Sequence, residues 1–112
     1  MQKIYVDGSG DGRYCWINET NETNKSYLEK GVTNNEAEYL AVLHALQENT
    51  GEIEILSDSK LVVNQLNGEW HIKEVRLREL FDKVKKTIKE KGLKVTFVWI
   101  PREENRAGKY LG

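Results

Sequence analysis

The stretch Thr33-Asn34-Asn35-Glu36-Ala37-Glu38-Tyr39 opens a helix, and the fold is read outward from it. Thr33 and Glu36 have the spacing of a capping box, in which the two residues satisfy each other's free backbone N–H groups. The helix is predicted to run to about Asn49, with Gly51 as its stop. On a helical wheel, Tyr39, Val42, Leu43, Ala45 and Leu46 form one apolar arc, and Glu38 falls at its edge. A carboxylate therefore sits beside a buried face. Burying it unpaired is costly, so a cation or a basic partner would explain it. A rim glutamate reaching solvent is the other reading.

Three strands are predicted upstream, over 3–7, 13–18 and 25–31. The first runs into Asp7-Gly8-Ser9-Gly10-Asp11-Gly12, a dense turn signal. Glu19 to Asn24 reads as a hairpin loop, and its Asn-x-Thr/Ser triplets are chance matches in a polar turn. Downstream come a strand over 52–57 and a short helix over 59–66, stopped by Asn67-Gly68. A long helix over 73–91 has apolar Leu77, Leu80, Phe81, Val84 and Ile88 at helical spacing, and Gly92 ends it. A β-prone run over 93–100 ends at Pro101, and a last helix spans 102–112. The order βββαβααβα implies an α/β domain, a mixed sheet covered by helices. With 112 residues the chain makes one domain, 1–112.

Composition excludes several classes. At 38% hydrophobic and 31% charged residues the chain is no disordered polyelectrolyte. No apolar run approaches a membrane span, and Met1–Asp7 is too polar for a signal peptide. Cys15 is the only cysteine, so an intrachain disulfide or a multi-cysteine zinc site is ruled out, and a reducing cytoplasmic setting is expected. With 17 basic and 18 acidic residues the net charge is −1, which argues against gripping nucleic acid by bulk electrostatics.

Asp7 and Asp58 each follow an apolar run, Ile4-Tyr5-Val6 and Ile53 to Leu56. Ligand sites in open α/β sheets lie beyond the carboxyl ends of strands. If the two strands are neighbours, the two carboxylates face each other and call for a bridging cation. Singly, Asp7 also fits a turn opening and Asp58 a helix cap. Together with Glu38 they are the parts of a Mg²⁺ site, an ion that prefers oxygen ligands. Two such ions can activate a water and stabilise the leaving oxygen in phosphodiester cleavage. No nucleophilic triad competes: His44 is expected on the polar side of its helix and His71 in a connecting segment.

These residues resemble the ribonuclease H type 1 family in its compact form. The matching segments are Tyr5-Val6-Asp7-Gly8-Ser9-Gly10, Thr33-Asn34-Asn35-Glu36-Ala37-Glu38-Tyr39, Ser57-Asp58-Ser59-Lys60-Leu61-Val62-Val63-Asn64-Gln65-Leu66-Asn67-Gly68 and Trp99-Ile100-Pro101-Arg102-Glu103-Glu104-Asn105. The resemblance implies a ribonuclease-H-like fold, a five-stranded mixed sheet with flanking helices. It implies cleavage of the RNA strand of an RNA–DNA hybrid to 5′-phosphate and 3′-hydroxyl ends. Asp7, Glu38 and Asp58 would be catalytic and hold two Mg²⁺ ions with substrate, Mn²⁺ being a substitute. Gly8, Ser9, Asn34 and Asn35 would bind the hybrid in its minor groove, where the 2′-hydroxyl marks RNA. A cytoplasmic monomer is expected, with no membrane and no protein partner. Trp70 is expected to pack between helices, and Lys73, Arg76 and Arg78 to form a solvated face.

The chain departs from the family at one position. Where the family has a fourth carboxylate, four residues after the matching Asn105, this sequence has Lys109. A protonated lysine cannot ligate Mg²⁺. Three readings follow: three acids are enough, Glu103 or Glu104 reaches in, or the domain is a weakened or inactive module that binds hybrid or duplex RNA.

Overall fold

The first strand, β1 (Gln2–Gly8), lies at the centre of a five-stranded sheet and carries the site's first acid. The computed structural model describes residues 1–112. β1 pairs antiparallel with β2 (Arg13–Asn18), which pairs antiparallel with β3 (Thr23–Leu28). On its other side β1 pairs parallel with β4 (Glu52–Ser57), and β4 parallel with β5 (Lys94–Trp99). The order is β3-β2-β1-β4-β5, the mixed sheet that the sequence predicts. Tyr5 is in register with Leu56, so Asp7 and Asp58 lie at the carboxyl ends of neighbouring parallel strands.

Alternation along the strands divides the two faces. Ile4 and Val6 of β1, Tyr14 and Trp16 of β2, and Ile53 and Ile55 of β4 all join one buried cluster. Helix α1 (Asn34–Glu48) covers this face with Tyr39, Val42, Ala45 and Leu46, each fully buried. Helix α2 (Lys60–Leu66) adds Val62 and Leu66, and α3 (Val75–Lys91) adds Leu77, Leu80 and Val84. The start of α1 is the capping box that its sequence predicts: Glu36 N–H donates to Thr33 Oγ1 at 3.2 Å and Thr33 N–H to Glu36 Oε1 at 3.0 Å. A cap of this kind contributes about 1 kcal/mol. The other end of α1 has no basic residue of its own. Lys91, at the end of α3, donates instead to the carbonyls of Leu46, Gln47 and Asn49.

The opposite face is covered by α4 (Arg106–Leu111), packed on β1 and β2. Cys15 points to this side and donates to the Ala107 carbonyl at 3.6 Å. Burial pushes its thiol up to about 12, so it is inert packing.

Several local expectations need correction. The third strand spans 23–28 rather than 25–31, because Glu22 takes φ 57° and turns the chain directly back into register, Asn18 opposite Thr23. The last helix is broken: a 3₁₀ turn at Arg102–Glu104 precedes α4, and Asn105 between them is extended and caps α4 through its side chain. The long helix starts at Val75 rather than 73. Trp70 therefore lies in the bend after α2, its N–H donating back to the Asn64 carbonyl, and is 48% exposed, while Ile72 takes the place against the core. His44 is half-buried, not on a polar face, since Tyr14 and Tyr27 stack 4.9 Å apart and reach across to its ring.

A close tertiary approach occurs at Gly8, where β1 meets α1. A Cβ built on Gly8 would lie 2.4 Å from the Ala37 carbonyl carbon and 2.6 Å from the Glu38 nitrogen. Both neighbours are backbone and cannot give way, so any side chain forces strand and helix apart. Gly8→Ala is expected to destabilise the protein by about 3 kcal/mol, the upper range for overpacking. Urea unfolding measures this, and a loss within the usual scatter of surface substitutions, about 0.5 kcal/mol, contradicts it.

Candidate active site

Three elements deliver one acid each. Asp7 comes from the end of β1, Glu38 from the first turns of α1, and Asp58 from the two-residue link between β4 and α2. One carboxylate oxygen from each lies within 4.8 Å of the other two. Asp7 and Glu38 are buried, at 1% and 5% exposure, and Asp58 is nearly so.

The chain supports each acid differently. The Gly8 N–H donates to Glu38 Oε1 at 3.2 Å, so the close contact of β1 and α1 also orients this carboxylate. Glu38 Oε2 is buried and has no hydrogen-bond partner. Asn105 Nδ2 donates to both the Val6 carbonyl, at 3.0 Å, and Asp58 Oδ2, at 2.9 Å, tying Asp58 to β1. The Asp58 carbonyl accepts from Trp99 Nε1 at 3.1 Å. Arg102 Nη1 bridges the two aspartates, 2.8 Å from Asp7 Oδ1 and 3.1 Å from Asp58 Oδ2.

The electrostatics follow from this crowding. Burial raises the Glu38 carboxyl to about 9, and the neighbouring Asp7 adds to the effect while the Gly8 N–H opposes it. Burial also raises Asp7, with Arg102 opposing and Asp58 reinforcing the shift. Acids held this way are poised for a positive ion.

The other residues singled out by sequence divide into three groups. Gly8, Ser9 and Asn34 line one open cleft with Asp7 and Glu38, and Arg13 and Arg102 border it. Asn34 and Asn35 lie at the start of α1, but the capping is done by Thr33, which leaves their side chains outside that network. The N–H groups of Gly8 and Ser9 are both engaged internally, Gly8 with Glu38 and Ser9 with the Arg13 carbonyl at 2.9 Å. Lys109 is exposed and borders a separate depression with Lys3, Tyr5, Glu54, Glu103 and Glu104. It contacts none of the three acids, and neither Glu103 nor Glu104 lines their cleft. Sequence reasoning missed Arg102 and Asn105 as site residues. Their one signal is their place in Pro101-Arg102-Glu103-Glu104-Asn105, a segment that resembles the family without being assigned a role.

Comparison with known proteins identifies the family and the fold. The family model described as "Reverse transcriptase-like" matches residues 11–111. The structure of LC11-RNase H1 in complex with an RNA/DNA hybrid superposes with a TM-score of 0.86 over 100% of both chains, at 28% identity. The chain belongs to the ribonuclease H type 1 family. RNase H1 from the halophilic archaeon Halobacterium salinarum shares the fold, with a TM-score of 0.86 over 98% of this chain and 92% of that one, at 24% identity. The uncharacterized protein YpeP of Bacillus subtilis is 36% identical over 74% of this chain. The match covers only 38% of YpeP, so the chain spans well under half the length of that relative. The chain thus carries an acidic triad on a ribonuclease-H-like fold.

Glu38 makes the site's pH behaviour testable. Its carboxyl is near 9 in the folded chain against 4.5 ordinarily. Between these values the unfolded chain ionises Glu38 while the folded chain keeps the proton, so stability falls as pH rises through this window. With divalent metal chelated, Glu38→Gln is expected to raise Tm relative to the parent protein by a margin that grows from pH 4.5 to pH 9. Thermal unfolding across that range checks it, and a constant margin contradicts it.

Proposed function

We propose that this domain is a metal-dependent endoribonuclease that cleaves the RNA strand of RNA–DNA hybrids to 5′-phosphate and 3′-hydroxyl ends. The observation that carries the reading is the convergence of Asp7, Glu38 and Asp58 within 4.8 Å, with one buried carboxylate oxygen, Glu38 Oε2, left without a partner. Hard oxygen donors at this spacing fit Mg²⁺, with Mn²⁺ as a substitute. When bound, two such ions would supply an activated water and charge stabilisation at the leaving oxygen.

The chain's own groups do the rest. Asp7, Glu38 and Asp58 would hold the ions at the carboxyl edge of the sheet. Asn105 fixes Asp58 relative to β1 and keeps the acids in register. Asn34 and Asn35, not needed for capping, would face the minor groove, where an amide can both donate to and accept from a 2′-hydroxyl. With their N–H groups engaged, Gly8 and Ser9 would meet the hybrid through shape and the Ser9 hydroxyl, which also bonds Asp11. Lys109, pointing elsewhere, would not enter the reaction.

Lys109 also motivates a second reading, a module that binds hybrid or duplex RNA without cleaving it. One assay separates the two. A labelled RNA–DNA hybrid is incubated with Mg²⁺ or Mn²⁺ and the parent protein, Asp7→Asn or Lys109→Ala. Multiple-turnover cleavage by the parent is expected. Asp7→Asn should lose more than about 100-fold, beyond what loss of a ligand's support alone produces. Lys109→Ala should stay within about twofold, as expected of an exposed side chain away from the site. Hybrid binding without cleavage by the parent protein overturns the nuclease reading in favour of the second.

A further inference from the structure

Arg102 lies where a cation belongs. Its Nη1 makes charge-assisted hydrogen bonds to both Asp7 and Asp58, at 2.8 and 3.1 Å. The side chains it bridges are 2% and 13% exposed, whereas its own is 61% exposed. A long flexible stem thus reaches in from solvent and inserts only its charged end between two sequestered acids. The path is kept open by Gly108 of α4, where a Cβ would lie 3.0 Å from the guanidinium carbon and Nη1. Glu38, the third acid, receives nothing from Arg102 and keeps one oxygen unpartnered. The guanidinium therefore relieves the repulsion between the two aspartates and leaves the cluster incompletely satisfied.

We propose that Arg102 is an internal counter-cation that binds Asp7 and Asp58 in the metal-free protein and must be displaced when a divalent metal enters. This inference rests on reading the three acids as a metal site. Arg102 acts as a positioning residue that sets metal affinity. Displacement is inexpensive for the guanidinium because it returns to water, where its stem already lies. What the entering metal must overcome is the pair of bonds and the residual repulsion of a nearby positive charge. Removing that charge removes the competitor.

The test is calorimetric titration of Mn²⁺ into the chelator-treated full chain at low salt, for the parent protein, Arg102→Gln and Arg102→Lys. Arg102→Gln should bind Mn²⁺ roughly tenfold more tightly, on the scale of one charged hydrogen bond. Arg102→Lys, which keeps the charge, should remain closer to the parent than to Arg102→Gln. Without metal, Arg102→Gln should melt below the parent, and the difference should vanish at saturating Mn²⁺. The exposed stem leaves the core untouched on substitution, and circular dichroism checks the fold. Measurable Mn²⁺ binding by the parent with unchanged or weaker binding by Arg102→Gln overturns the proposal alone. No binding by either protein overturns the metal-site reading and the proposal with it.

Discussion

The backbone contact between Gly8 and the Ala37–Glu38 peptide is the constraint on which the site depends. It lets the end of β1 touch the first turn of α1, a distance only a residue without Cβ allows. Two consequences follow from the same contact. Glu38 is carried to Asp7, and the Gly8 N–H becomes the donor that orients its carboxylate. The parallel pairing of β1 with β4 then sets the third acid, since it places the two strand ends side by side. A shift at Gly8 would move Glu38 and Asp7 apart together.

Clustered acids oppose folding unless their charge is answered, and this chain answers it in pieces. Glu38 is pushed toward the neutral form by burial and by Asp7. Asn105 donates to Asp58, and Arg102 spans the two aspartates. None of these reaches Glu38 Oε2. The fold is thus stable enough to hold the acids together while leaving them under-neutralised, which is the condition a cation-binding site needs. A net charge of −1 over the whole chain says little about such a site, because the relevant charge is concentrated at one edge of the sheet.

Much of this is legible in the sequence because it rests on local signals. The capping box at Thr33 and Glu36 places the start of α1 within its first turn, and the periodicity of that helix puts Glu38 at the margin of its buried face. Apolar runs ending in Asp7 and Asp58 mark the strand ends. What stays hidden depends on contacts across the chain. Arg102 meets Asp7 from 95 residues away, and nothing local separates it from a solvated arginine. Lys109 falls at the position of an expected acid, yet its side chain borders a separate depression with Lys3 and Tyr5, a placement set by neighbours distant in sequence. Trp70 and His44 depart from their expected places for a related reason: which face of a segment is buried depends on neighbours, here the late start of α3 and the reach of Tyr14 and Tyr27.

In the function proposed here, β1, α1 and the end of β4 build one cation site from Asp7, Glu38 and Asp58. Anomalous diffraction from a crystal of the full chain soaked in Mn²⁺ tests it most directly. Manganese density between these three carboxylates is the expected result. Density confined to other acids, or none at this edge of the sheet while Mn²⁺ is bound elsewhere on the molecule, would contradict it.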